Sequence, residues 1–206
     1  MSYSKFKKLE QLKKDFSINH IFEAWLPKVP VFDKITHIFE VALQDASQEV
    51  LTSEKAKSES IIAPLLKELR RQNLDRFSYF SGLAFDVDSE KNLTGFCDFI
   101  LSAQTKQVEI NAPVFCLVET KDDRIERGFA QCAAEMYAAQ LFNEREGNPK
   151  KQIFGCSTNA FSWCFLKLEN KTLYIDPNYV PLTFSEPHRV LAVLQWILDE
   201  SLKENQ

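Results

Sequence analysis

The stretch "APVFCLVETKDD", residues 112–123, decides how the chain folds. An apolar run suited to a buried strand ends in Glu119, Thr120 and Lys121, which places ionisable groups at the end of a core element. A buried carboxylate or ammonium must be paired, bound to metal or shifted in pKa, and such arrangements concentrate at functional sites. Side chains alternate across a strand, so Phe115, Leu117, Glu119 and Lys121 are expected on one face and Val114, Cys116, Val118 and Thr120 on the other.

Two further segments with strand character precede it, "RFSYFSGLAFDVD" (76–88) and "LTGFCDFILS" (93–102), separated by polar turns. Together the three read as a meander whose later strands are buried on both faces. Upstream, "SEKAKSESIIAPLLKELRRQ" (53–72) reads as a helix capped by Ser53, with Ile62, Leu65, Leu66 and Leu69 at helical spacing and Pro64 as a site of kinking. Downstream, "RIERGFAQCAAEMYAAQLFNER" reads as a helix able to lie close to a sheet through its small residues. Two more strands, "QIFGCST" and "SWCFLKL", precede "KTLYID", and a last amphipathic helix, "HRVLAVLQWILDESL", closes the sequence. This order predicts an α/β sandwich around a mixed sheet flanked by helices. Residues 1–50 read as a helical N-terminal extension packed on one main domain, residues 51–206.

Composition narrows the function classes. The 206 residues are 45% hydrophobic and 26% charged, with a net charge of -4, so the chain lacks the overall basic footprint of a protein that coats nucleic acid. Any nucleic-acid contact must be local. Lys5, Lys7, Lys8, Lys13 and Lys14 cluster near the start, but Phe6, Leu9, Leu12 and Phe16 recur among them as the inner face of a solvated helix. The five cysteines form no CxxC pair and share no ligand spacing with the three histidines, which argues against disulfides and zinc. No run of ~18 apolar residues marks a membrane span, and the start lacks the apolar stretch of a signal peptide. A cytoplasmic setting without membrane contact is the expectation.

In the strand before Glu119, alternation groups Phe96, Asp98 and Ile100. Adjacent strands lie roughly 5 Å apart, so Asp98 can meet Glu119 if the register allows. Two carboxylates that close repel unless a cation sits between them, and hard oxygen ligands suit Mg2+ or Mn2+. Lys121 could then orient or deprotonate water, or offset charge on a phosphate. The implied reaction is phosphodiester hydrolysis.

"GFCDFIL", 20 residues between Asp98 and Glu119, and then "ETK" resembles the PD-(D/E)XK nuclease superfamily, with its restriction-endonuclease-like fold. The element order over about residues 53–170 is similar to that family's core. The resemblance implies a metal-dependent nuclease in which Asp98 and Glu119 bind Mg2+ or Mn2+ and Lys121 serves the attacking water. It further implies an acidic ligand on the first core helix, at Glu59, and a site role for Gln131, ten residues beyond Lys121. At 100° per residue Glu59 shares a side with Ile62, Ala63, Leu66 and Leu69, whereas Glu68 falls opposite, so Glu59 is expected to be buried and turned toward Asp98. Gln131 shares a face with Ala134, Ala138 and Leu141 and is expected to look into the sheet. Two positions depart from the family's pattern: Cys97 replaces the proline before Asp98, and Glu135 stands where some members carry tyrosine. Nucleic acid, DNA ahead of RNA, is the implied partner, and a homodimer is left open. The competing class is a catalytically silent binding or regulatory module on the same fold.

Overall fold

The structure, a computed structural model, describes residues 3–32 and 34–203. Eight strands form one mixed sheet: β1 (Asn19–Phe22), β2 (Ser78–Ala84), β3 (Phe96–Ser102), β4 (Val114–Thr120), β5 (Gln152–Thr158), β6 (Ser162–Glu169), β7 (Thr172–Ile175) and β8 (Val180–Pro181). Their order across the sheet is β1-β7-β6-β5-β4-β3-β2, with β8 beside β6. The pairs β2/β3 and β3/β4 are antiparallel, as the meander reading requires, and β4/β5 is parallel. All seven residues of β4 are buried, which fits its unbroken apolar run.

Helices cover both faces. On one, α1 (Leu9–Phe16) and α5 (Phe129–Arg145) share a core with Leu117, Ile153 and Leu166. On the other, α2 (His37–Ala46), α4 (Ala63–Gln72) and α6 (His188–Lys203) pack against Phe99, Phe115, Val118 and Phe165. The α/β sandwich expected from the element order is thus present. Helix α5 lies close to β5: a Cβ on Gly155 would overlap Met136 Sδ. All five cysteines are buried and free, in keeping with their apolar settings.

Three expectations need correction. The N-terminal extension is not wholly helical, because β1 pairs in parallel with β7 and extends the sheet. Beyond it, the N–H groups of Trp25 and Leu26 donate to Asp176 Oδ2 at 3.0 Å each, which ties the following segment to the sheet.

Strict alternation along β4 also fails at its start: Val114 lies in the α5-side core while Phe115 and Cys116 both lie in the opposite one. The β3/β4 register shifts between Leu101 and Ser102, and Asn143 of α5 bonds both the N–H and the C=O of Val114 (2.8 and 2.7 Å), so this end does not follow the ladder. From Cys116 to Val118 the alternation holds.

The third correction concerns the helix over 53–72. It begins as read, with Ser53 Oγ accepting from Ala56 N–H at 3.1 Å, but α3 (Glu54–Lys57) passes into a π-helical turn, Ser58–Ile62, before α4. Pro64 has no N–H to give to the carbonyl four residues back, and the Ala63 N–H reaches five residues back to Ser58. The extra residue in that turn invalidates a uniform 100° wheel across it. Glu59 is accordingly exposed (67% of its side chain) beside Lys55, whereas Glu68 is fully buried. Thr36 donates its N–H and hydroxyl to Glu68 at 2.8 and 2.6 Å, and Arg71 and Gln72 complete the pairing. Burial pushes the Glu68 carboxyl up, but these donors outweigh it and the net direction is down.

Candidate active site

The site forms where the C-terminal end of β4 meets the N-terminal end of β3. Phe99 pairs with Val118 and Ile100 with Leu117, so the same register continued by one residue sets Asp98 opposite Glu119. Asp98 Oδ2 accepts the Thr120 N–H at 2.7 Å, which anchors the half-buried carboxylate beside Glu119. The Lys121 ammonium donates to Glu119 Oε1, and its own backbone N–H holds Thr158 O at 2.7 Å. The three residues of the sequence pattern are therefore gathered in one place.

Their environment is dry on one side. Glu119 is 1% exposed and its Oε2 finds no hydrogen-bond partner among the described residues. Burial, then the nearby charge of Asp98, pushes the Glu119 carboxyl up to about 8 against the opposing pull of Lys121. For Lys121, burial pulls downward, but the Glu119 carboxylate outweighs it and the ammonium is held above its usual value. Gly128, just before α5, makes this packing feasible: a Cβ there would overlap Ser157 Oγ and sit 3.2 Å from Lys121 Cγ.

On the open side lies a cavity of about 340 Å³ lined by Glu54, Ser58 and Glu59 of the helix, Ser81 and Gly82 of β2, and Asp98 and Thr120. Thr120 is buried, and its Oγ1 has no hydrogen-bond partner among the described residues. Glu54, rather than Glu59, is the α3 carboxylate whose charge acts on both Glu119 and Lys121, and its Oε1 accepts the Asp122 N–H at 3.2 Å. Glu59 lines the same cavity from a solvated position, with Lys55 Nζ at 3.8 Å from its Oε1. The buried position expected for it is not observed.

Gln131 is half-buried, and its Nε2 donates to Glu135 Oε1 at 3.2 Å rather than to the strand residues. Glu135 is the residue the sequence pattern missed: fully buried, with no partner for Oε2 among the described residues and its carboxyl pushed well up by burial and by the charges of Glu119 and Asp98. Its only sequence signal is its place four residues after Gln131, on the same helical face. A larger cavity, about 840 Å³ between α2 and α6, holds Glu40 and His188 and none of the residues in the pattern.

Among the described residues, no group of three or more His, Cys, Asp or Glu side chains is placed to hold a metal ion. Mg2+ does not require one, since it commonly keeps several waters and binds through one or two carboxylates together with substrate phosphate. No described helix is long and apolar enough to cross a membrane. No protein-family model and no curated protein matches the chain.

Proposed function

We propose that this chain is a Mg2+- or Mn2+-dependent phosphodiesterase of nuclease type on a restriction-endonuclease-like fold, acting on nucleic acid and on DNA in preference to RNA. The observation that carries this reading is the meeting of Asp98, Glu119 and Lys121 at the end of two paired strands, beside an open cavity. The donor set fits a hard divalent cation: Glu119 Oε2 is a buried carboxylate oxygen without a partner among the described residues, and Asp98 presents a second carboxylate next to it. Asp98 and Glu119 would hold the ion, with Glu54 contributing negative charge from the helix. Once bound, such an ion supplies Lewis acidity at a phosphoryl oxygen and lowers the pKa of its water.

The remaining work falls to the chain itself. Burial on all sides of β4 fixes the Glu119 backbone, and the Asp98 bond to Thr120 fixes the second carboxylate relative to it. Lys121 is held in its charged form, so its role is to stabilise negative charge building on the phosphate oxygens rather than to accept a proton.

Mn2+ calorimetry beside cleavage of single- and double-stranded DNA and RNA tests the reading. Lys121→Ala should bind metal and cut nothing, and Glu119→Ala should lose both. Metal binding without cleavage by the wild type would favour the silent binding module, a reading that draws on the net charge of -4. Cleavage that survives in Glu119→Ala would overturn the assignment of the site.

A further inference from the structure

Helix α5 brings a third carboxylate against the buried side of the site. Glu135 is 0% exposed; its Oε1 takes the Gln131 amide, and its Oε2 has no partner among the described residues. Cys132, three residues earlier, places its thiol 3.9 Å from the Leu117 carbonyl and 3.6 Å from that of Cys156, which lays this part of the helix directly on β4 and β5. The charges of Glu119 and Asp98 act on Glu135 in one sense and that of Lys121 in the other.

The charge count is unbalanced. With every carboxyl ionised, the single positive charge of Lys121 would face Asp98, Glu119 and Glu135, with Glu54 as a fourth carboxylate at the rim, and burial accordingly disfavours the charged forms of Glu119 and Glu135. Uncompensated negative charge in a buried setting is costly, and the cost is relieved by whatever cation approaches. Two buried carboxylate oxygens, Glu119 Oε2 and Glu135 Oε2, find no hydrogen-bond partner among the described residues.

We propose that Glu135 is a positioning residue that acts through Glu119 to raise the affinity of the site for a divalent cation, without being a ligand itself. The inference rests on the reading of Asp98 and Glu119 as the metal-holding pair. It assigns Glu135 a role other than that of a structural core residue: its ionised form is costly in the metal-free fold and becomes favourable once the cation binds.

The test uses the full chain at one fixed pH and compares the wild type with Glu135→Gln, Glu135→Met, Glu135→Asp and Glu119→Gln. Mn2+ affinity is read by calorimetry, and thermal unfolding is followed in chelator and in excess Mn2+. Both neutral variants at 135 should unfold no lower than the wild type in chelator, yet bind Mn2+ roughly tenfold more weakly, the order expected for losing one nearby charge. Their Mn2+-induced rise in Tm should shrink, Glu135→Asp should keep most of the affinity, and Glu119→Gln should lose binding. Unchanged affinity in both neutral variants would overturn this inference alone. So would a fall of Tm in chelator in both, because the carboxylate would then be stabilising the fold by itself. A wild type that takes up no Mn2+ would overturn this inference and the metal reading together.

Discussion

Asp98 Oδ2 accepts the backbone N–H of Thr120 at 2.7 Å, so a side chain of β3 closes the end of β4. That bond makes Asp98 a structural clasp beside its proposed role as a cation ligand, and the two roles separate by substitution. Asp98→Asn keeps an acceptor for Thr120 and should stay within about 1 kcal/mol of wild-type stability, whereas Asp98→Ala leaves a buried N–H unpartnered and should cost about 1 to 3 kcal/mol. Both should lose Mn2+ affinity. Urea unfolding beside a Mn2+ titration checks this, and an Asn variant as unstable as the Ala variant would contradict it.

The metal-free protein should lose stability as pH rises from about 5 to 8. Glu119 is lifted from a usual value of 4.5 to about 8, so across that interval the folded state holds a proton that the unfolded state has released. The stabilising contribution is complete below the unfolded value, declines through the interval and is gone above about 8. In Glu119→Gln the slope should flatten. Denaturant midpoints at several pH values in chelator measure it, and equal slopes in wild type and variant would contradict the assignment.

Glu54 and Glu59 make a paired control. Glu54 acts on both Glu119 and Lys121, whereas Glu59 is solvated beside Lys55. Glu54→Gln should weaken Mn2+ binding by roughly threefold to tenfold, since its charge reaches the pair from the rim. Glu59→Gln should leave binding within error. A reversal would return the helix ligand to Glu59.

The contrast between these two shows where the sequence was readable. Strand parity and spacing located Asp98, Glu119 and Lys121, because the meander ladder between Phe99 and Val118 is regular and alternation near the site is intact. Parity failed at Val114 and Phe115, where Asn143 and a register shift intervene, and both causes depend on contacts made across the fold. The helical wheel failed at Glu59 and Glu68 because Pro64 opens the helix into a π turn. Pro64 signalled a disturbance but not its phase. Residues 1–50 carried helical spacing, and β1 is only four residues long and partnered by β7 far along the chain, so nothing local marked it as a strand. Glu135 was visible as a departure from a pattern, while its burial depends on the close approach of α5 to the sheet.

Gly128 should tolerate no side chain. Gly128→Ala would drive a methyl into Ser157 Oγ and against Lys121 Cγ, with an expected cost of about 1 to 3 kcal/mol. Because the displaced group includes Lys121, cleavage should fall by more than the lost folded fraction explains. Activity normalised to folded protein, measured well below the unfolding midpoint, separates the two effects. A loss accounted for by unfolding alone would mean that Gly128 serves packing only.

We propose above that Asp98 and Glu119 share one divalent cation beside Lys121. Anomalous diffraction from a crystal of the wild-type protein soaked in Mn2+ tests it without knowledge of the substrate. A peak in contact with both carboxylates is expected, absent from a Glu119→Ala crystal treated identically. A soaked crystal in which Mn2+ occupies other positions, or in which Lys121 alone still faces Glu119, would contradict it.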